Sequence, residues 1–242
     1  MHQPGTERFR FLAQGSLLLL LTLPLPLLSE YSGLDIRIED HFFDVASGTF
    51  PWRQLYWFEA VTHGGIKSLL LFFLALIIVT LLLSLLSPET LRPVLPPSWR
   101  QPRLLTYLLV AMLLCPGIIG VLKQTTTREC PWDLARYGGQ RAYQDLWEQA
   151  LFNPGQPGKC FPGGHASGGF ALLALVPVLQ GRRRYQAALF ALSLGMLMGW
   201  SRMMQGAHFL SHNLWSAWLC WAVVLACYAV IRPPALETVT TR

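Results

Sequence analysis

Residues 67–86 read Lys67-SLLLFFLALIIVTLLLSL-Leu86. After Lys67 the run carries no charge, and it matches the roughly 20 apolar residues that a helix needs to cross a bilayer. A helix apolar on every face belongs in lipid or at the centre of a large core. The composition favours lipid: of 242 residues, 52% are hydrophobic and 13% charged, against roughly 25% charged in soluble domains.

Working outward, similar runs occupy residues 11–28, 104–122, 166–179, 185–200 and 214–231. The whole chain, 1–242, therefore reads as one all-α domain, a six-span transmembrane helical bundle. The first run is interrupted by Pro24 and Pro26 and follows Arg8 and Arg10. No small-x-small cleavage site follows it, so a retained span is expected rather than a cleaved signal peptide. The stretch from Glu30 to Ile66 leans acidic and is rich in aromatics. It is expected to lie on the bilayer surface, with an ordinary surface loop as the alternative.

The formal charge is +6, but the basic residues sit between apolar runs. They serve topology rather than a nucleic-acid face. Alternate counting puts the N-terminus, Arg92, Arg100, Arg103, Arg182–Arg184 and the C-terminus on one side. The positive-inside rule makes that side cytoplasmic. The polar stretch from Lys123 to His165 and the hinge from Ser201 to Asn213 then face the periplasm or exterior of a bacterial-type inner membrane.

None of the five cysteines forms a CxxC pair, which argues against a cysteine zinc site. Cys115, Cys220 and Cys227 fall in apolar runs and read as small hydrophobes. Cys130 and Cys160 share the outward polar stretch and are open to two readings, a disulfide or two free thiols.

Three clusters meet on the outward face. Lys123-QTTT-Arg128-Glu-Cys130-Pro-Trp132 leaves the third span, Pro162-Gly163-Gly164-His165 enters the fourth, and Ser201-Arg202-MMQGA-His208-FLS-His212 joins the last two. Any single cation here serves as a helix-end anchor. That reading does not explain two histidines beside a glycine turn. Phosphate chemistry does: Lys123, Arg128 and Arg202 supply cationic donors, and the glycine turn offers backbone N–H groups. One histidine then attacks phosphorus and another protonates the leaving oxygen.

These blocks resemble the three signatures of the type 2 phosphatidic acid phosphatase superfamily, which includes vanadium haloperoxidases. The family pattern is Lys, six residues, Arg-Pro; then Pro-Ser-Gly-His; then Ser-Arg, five residues, His, three residues, Asp. The resemblance implies a nucleophile at His208, a general acid at His165, and phosphate binding by Lys123, Arg202, Ser201, Gly163 and Gly164. It also implies no metal, no other cofactor, and a lipid phosphate as substrate. The chain departs from the pattern at three places. Cys130 stands where the family has arginine, with Arg128 two residues earlier as its expected replacement. Gly163 replaces the serine, and His212 replaces the aspartate that orients the nucleophile. A Cys130–Cys160 bond would brace the substrate loop.

The expected function is removal of phosphate from a membrane lipid phosphomonoester or pyrophosphate through a phosphohistidine. The alternatives are a phosphotransferase using the same intermediate, or a degenerate lipid-phosphate-binding or transport protein. A three-histidine metal site at His165, His208 and His212 is disfavoured by the neighbouring cations. The substrate, hydrolysis against transfer, and the oligomeric state are not legible in the sequence.

Overall fold

A computed structural model describes residues 4–86, 101–145, 148 and 158–235. Arg92 and Arg100, used above for orientation, lie outside the described residues, as does the tail beyond 235. Among the described residues there are helices and two isolated β-bridges, and no strand. The protein is all-α.

The chain begins with α1 (Pro4–Thr22) and α2 (Pro24–Tyr31), nearly continuous across Leu23. Pro24 sits at the first position of α2, where a missing N–H costs nothing. Gly33, at φ +72°, turns the chain into α3 (Leu34–Asp40). The short α4 (Tyr56–Glu59) leads through a wide turn of helix into α5 (Ile66–Leu86). Then follow α6 (Pro102–Thr125), α7 (Gly164–Phe170), α8 (Gly181–Met204) and α9 (Leu210–Ile231).

Among the described residues, five stretches are long and apolar enough to cross a membrane: α1 with α2, and α5, α6, α8 and α9. They expose Leu17, Leu20, Leu21, Leu69, Phe72 and Leu86. So much apolar surface suits hydrocarbon rather than water. The protein is an integral membrane protein.

The expected span at 166–179 takes a different form. Here α7 runs into a tighter helical turn over Ala171–Leu175, and the apolar helix totals Gly164–Leu175. Its sequence is small and apolar, and nearly all of it is buried against α6, α8 and α9. A Cβ on Gly169 would lie 2.5 Å from the Gly195 nitrogen, so α7 and α8 touch through backbone. Small residues permit this close approach in membrane bundles. Around α7 the main core collects Tyr107, Leu108 and Ala111 of α6, Phe170 and Leu173, and Cys220 and Val224 of α9.

A second, smaller cluster caps one end of the bundle. Phe50, Leu134, Tyr137 and Phe209 are its buried centre, with Ile36, Phe42, Phe43, Trp132 and Tyr143 around them. The acidic stretch after α2 therefore packs on the polar loop after α6. Arg136 grips both carboxylate oxygens of Asp40 at 2.8 and 2.7 Å, and Arg53 stacks 4.2 Å over Trp132.

Candidate active site

The capped end of the bundle holds all three clusters. Lys123 lies in the last turn of α6, Arg202 in the last turn of α8, and His208 in the connection to α9. Gly206, at φ +73°, makes the sharp turn before His208; a side chain there would strike the Phe50 ring. The backbone N–H of Trp132 donates to the Gly206 carbonyl at 3.0 Å, tying the first cluster to the third.

The second cluster is built by backbone. Phe161–Pro162 is a cis peptide, and Gly163 precedes the first turn of α7. Gly163 donates its N–H to the His212 carbonyl at 3.1 Å, and its own carbonyl accepts from Ser216 at 2.9 Å. A Cβ on Gly163 would lie 2.6 Å from Asn213 Oδ1, so the family's serine has no room here. Gly164 faces Lys123: a Cβ there would stand 3.9 Å from Nζ. The missing side chain leaves space between the ammonium group and the first amides of α7.

His165 and His208 face one another with ring centres 6.3 Å apart. His208 is buried, and its imidazolium is held well below the usual histidine range. Burial is the main cause, followed by the charges of Lys123, His165 and Arg202; a backbone interaction with Cys160 opposes them. His208 is thus kept neutral, as a nucleophile requires. Arg202 is oriented by Gln205, which accepts from its guanidinium at 2.7 Å.

Other expected site residues sit outside this group. Ser201 is buried and donates its hydroxyl to Met198 of its own helix at 2.8 Å. Arg128 lies behind the pocket, paired with Glu30 at 2.7 Å and stacked 5.0 Å from the Phe161 ring. His212 is fully buried, wedged between Phe161 and Phe209 with ring centres at 5.3 Å to each. Neither of its ring nitrogens makes a well-formed hydrogen bond among the described residues, although the Cys160 backbone acts on the ring. His212, the candidate orienting residue, stands with its ring centre 5.7 Å from that of His208, and no hydrogen bond joins the two rings among the described residues. Instead His208 Nδ1 lies 3.8 Å from Cys160 Sγ.

Cys130 and Cys160 form a disulfide with Cα atoms 5.2 Å apart. Of the two sequence readings, the bond is the one found. It brings the first cluster against the second, and the Cys160 N–H donates to the Arg128 carbonyl at 3.2 Å. Cys160, His208 and His212 each place a potential metal-ligating atom within 4.8 Å of the others. The Cys160 sulfur is held in the disulfide.

Sequence reasoning missed three acids. Asp35 is fully buried and accepts from the Ser211 N–H at 2.9 Å, from the Ser211 hydroxyl, and from Ser29 at 2.8 Å. It caps α9 from 176 residues away in sequence. Glu30 and Glu39 are likewise buried. The available signal was their placement among aromatics just after a span, where acids are costly unless used.

Two histidines and two cations thus converge at one end of a helical membrane bundle. The model of the PAP2 superfamily matches residues 104–234, more than half of the chain. The chain belongs to the PAP2 superfamily, whose members are generally phosphatases acting on phosphate esters. No curated protein and no solved structure matches it.

Proposed function

We propose that the protein is a metal-independent lipid phosphate phosphatase working through a phosphohistidine at His208. The observation that carries this reading is the convergence of neutral His208, facing His165, with Lys123 and Arg202. His208 attacks phosphorus, forming a P–N bond as the P–O bond to the lipid breaks. His165 gives the departing oxygen its proton. Water, deprotonated by His165, then attacks the phosphohistidine and releases inorganic phosphate.

Lys123, Arg202 and the amides from Gly164 onward hold the non-bridging oxygens as charge develops on them. Gly163 contributes through the turn, because its N–H is engaged by His212. Arg128 and Ser201 support the pocket from behind. His212 packs beneath His208 instead of orienting it by a hydrogen bond.

A lipid substrate is supported by an apolar groove of about 1000 Å³ between α1, α8 and α9. It is lined by Leu18, Leu25, Leu192, Leu197, Trp200 and Trp218. Trp200 and Arg202 both lie near the C-terminal end of α8, so the groove and the pocket reach the same depth along that helix. The positive-inside rule supports six crossings, with α7 and its extension as the fourth and the site facing the periplasm or exterior. A disulfide belongs in that oxidising compartment.

A binding-only protein is the second reading, favoured by one observation: a disulfide sulfur, rather than a carboxylate, faces His208 Nδ1. Phosphate release from a panel of detergent-solubilised lipid phosphates, with and without chelator, separates the two. The phosphatase releases phosphate in both conditions and loses that activity in His208→Ala. A binding protein retains lipid phosphate and releases none. If release requires an added lipid acceptor, the same intermediate serves a phosphotransferase.

A further inference from the structure

We propose that reduction of the Cys130–Cys160 disulfide converts the base of this pocket into a tetrahedral zinc site, with Cys130, Cys160, His208 and His212 as its four ligands.

Three observations converge on this site. Cys160 Sγ and one ring nitrogen each of His208 and His212 already lie within 4.8 Å of one another. Cys130 Sγ is bonded to Cys160 Sγ, so opening that bond places a fourth donor at the same point. Two thiolates and two imidazoles are a common structural zinc set, with Zn–S near 2.3 Å and Zn–N near 2.0 Å. Ligand atoms about 3.3–3.8 Å apart satisfy that tetrahedron, and the 3.8 Å from Cys160 Sγ to His208 Nδ1 is within reach of it.

The second observation is His212 itself. It is completely buried, and neither ring nitrogen makes a well-formed hydrogen bond among the described residues; the Cys160 backbone acts on the ring only weakly. A buried polar group left this way calls for a ligand. A zinc ion reached by one of its nitrogens supplies that partner.

The third is charge. Lys123 and Arg202 act electrostatically on His208, and they would repel a cation bound by histidines alone. Two thiolates carry the charge that cancels Zn²⁺, so the four-ligand complex adds none to the pocket. The oxidised protein lacks both thiolates, which makes the site conditional on redox state.

The chemistry balances with a trialkylphosphine as reductant. The phosphine attacks one sulfur, the S–S bond breaks, and water delivers oxygen to phosphorus. The products are a phosphine oxide and two thiols, after a two-electron transfer to the disulfide. Zinc then displaces the two thiol protons to solvent.

Zinc on His208 would also occupy the ring that attacks phosphorus. That consequence rests on the phosphohistidine reading; the metal site does not. Metal binding is therefore measured separately from activity, with cobalt as a spectroscopic stand-in for zinc.

The full-length protein in detergent is reduced with phosphine, freed of excess reagent, and titrated with Co²⁺. Alkylation and mass spectrometry verify that both thiols are free. If the phosphine fails to open the bond, protein made in cells unable to form disulfides provides the dithiol form. The expected result is one cobalt per chain, with a thiolate-to-cobalt charge-transfer band and intense visible bands of tetrahedral geometry. Zinc should displace the cobalt. Oxidised protein should show no such bands, and His212→Ala and Cys130→Ser/Cys160→Ser should bind at least tenfold more weakly. Folding of each variant is checked by its helical circular dichroism. Reduced, folded wild type that takes up no cobalt overturns the proposal. So does binding of equal strength in the oxidised protein or in Cys130→Ser/Cys160→Ser. If metal binds but phosphate release is unaffected, the site stands and the catalytic role of His208 falls.

Discussion

Arg128 and Glu30 meet at 2.7 Å with both side chains removed from solvent, joining the loop after α6 to the end of α2. Neither partner is inexpensive to bury alone. Removing one side of such a pair typically costs about 3–5 kcal/mol, because the other charge remains uncompensated. Arg128→Ala should therefore lower the melting temperature sharply. Adding Glu30→Ala should recover much of that loss, since no lone charge then remains. Thermal unfolding in detergent measures the coupling. Additive losses would place Arg128 against phosphate rather than against Glu30.

Asp35 caps α9 through the Ser211 backbone and hydroxyl, three residues after His208. Hydrogen bonds to a charged group contribute about 1.5–3 kcal/mol. Asp35→Ala should cost about that much stability and reduce kcat more than it raises KM, because the nucleophile's segment loses its anchor. Steady-state kinetics with a soluble phosphate ester check the split. An unchanged kcat would confine Asp35 to folding.

Glu39 supplies a pH prediction. It is buried, and burial, then the charges of Asp35 and Asp40, hold its carboxyl well above the ordinary value near 4.5. Below about pH 4.5 the group is protonated in both the folded and unfolded chain. As pH rises above that, the unfolded chain releases the proton while the folded one retains it. Stability therefore falls with rising pH until the folded pKa is passed. The melting-temperature gain of Glu39→Gln over wild type should be smallest near pH 4.5 and grow toward pH 8. A gain independent of pH would mean Glu39 is already ionised in the fold.

The helices α7 and α8 meet through backbone. A Cβ on Gly169 would stand 2.5 Å from the Gly195 nitrogen, and one on Gly195 would enter the Phe170 ring. Overpacking of this kind costs about 1–3 kcal/mol. Gly169→Ala should destabilise the protein, whereas Gly117→Ala, with open space around it, should not. Comparison of the two melting temperatures isolates the crossing from helix propensity.

Much of this architecture is legible in the chain itself. Apolar runs mark the long helices, and the spacing of Lys123, His165, Arg202 and His208 marks the pocket, because these features depend on local patterns. The short α7 is less legible: its small residues read as a span from composition, and their close packing against α8 appears only in the fold. The partnerships of Glu30 and Asp35 are invisible, since each joins segments far apart in sequence. A lone acid after a span carries no mark of the helix end or guanidinium it will meet. The environment of His212 is equally hidden. His212 stands close to His208, but packed edge-on against the rings of Phe161 and Phe209.

The central claim is a covalent phosphate on His208. It is tested most directly by brief reaction with a ³²P-labelled lipid phosphate, an alkaline quench that preserves phosphohistidine, and location of the label by peptide mapping. The account predicts label on His208 in wild type, more of it in His165→Ala with a good leaving group, and none in His208→Ala. Phosphate release from wild type with no label on His208, or equal labelling in His208→Ala, would contradict it.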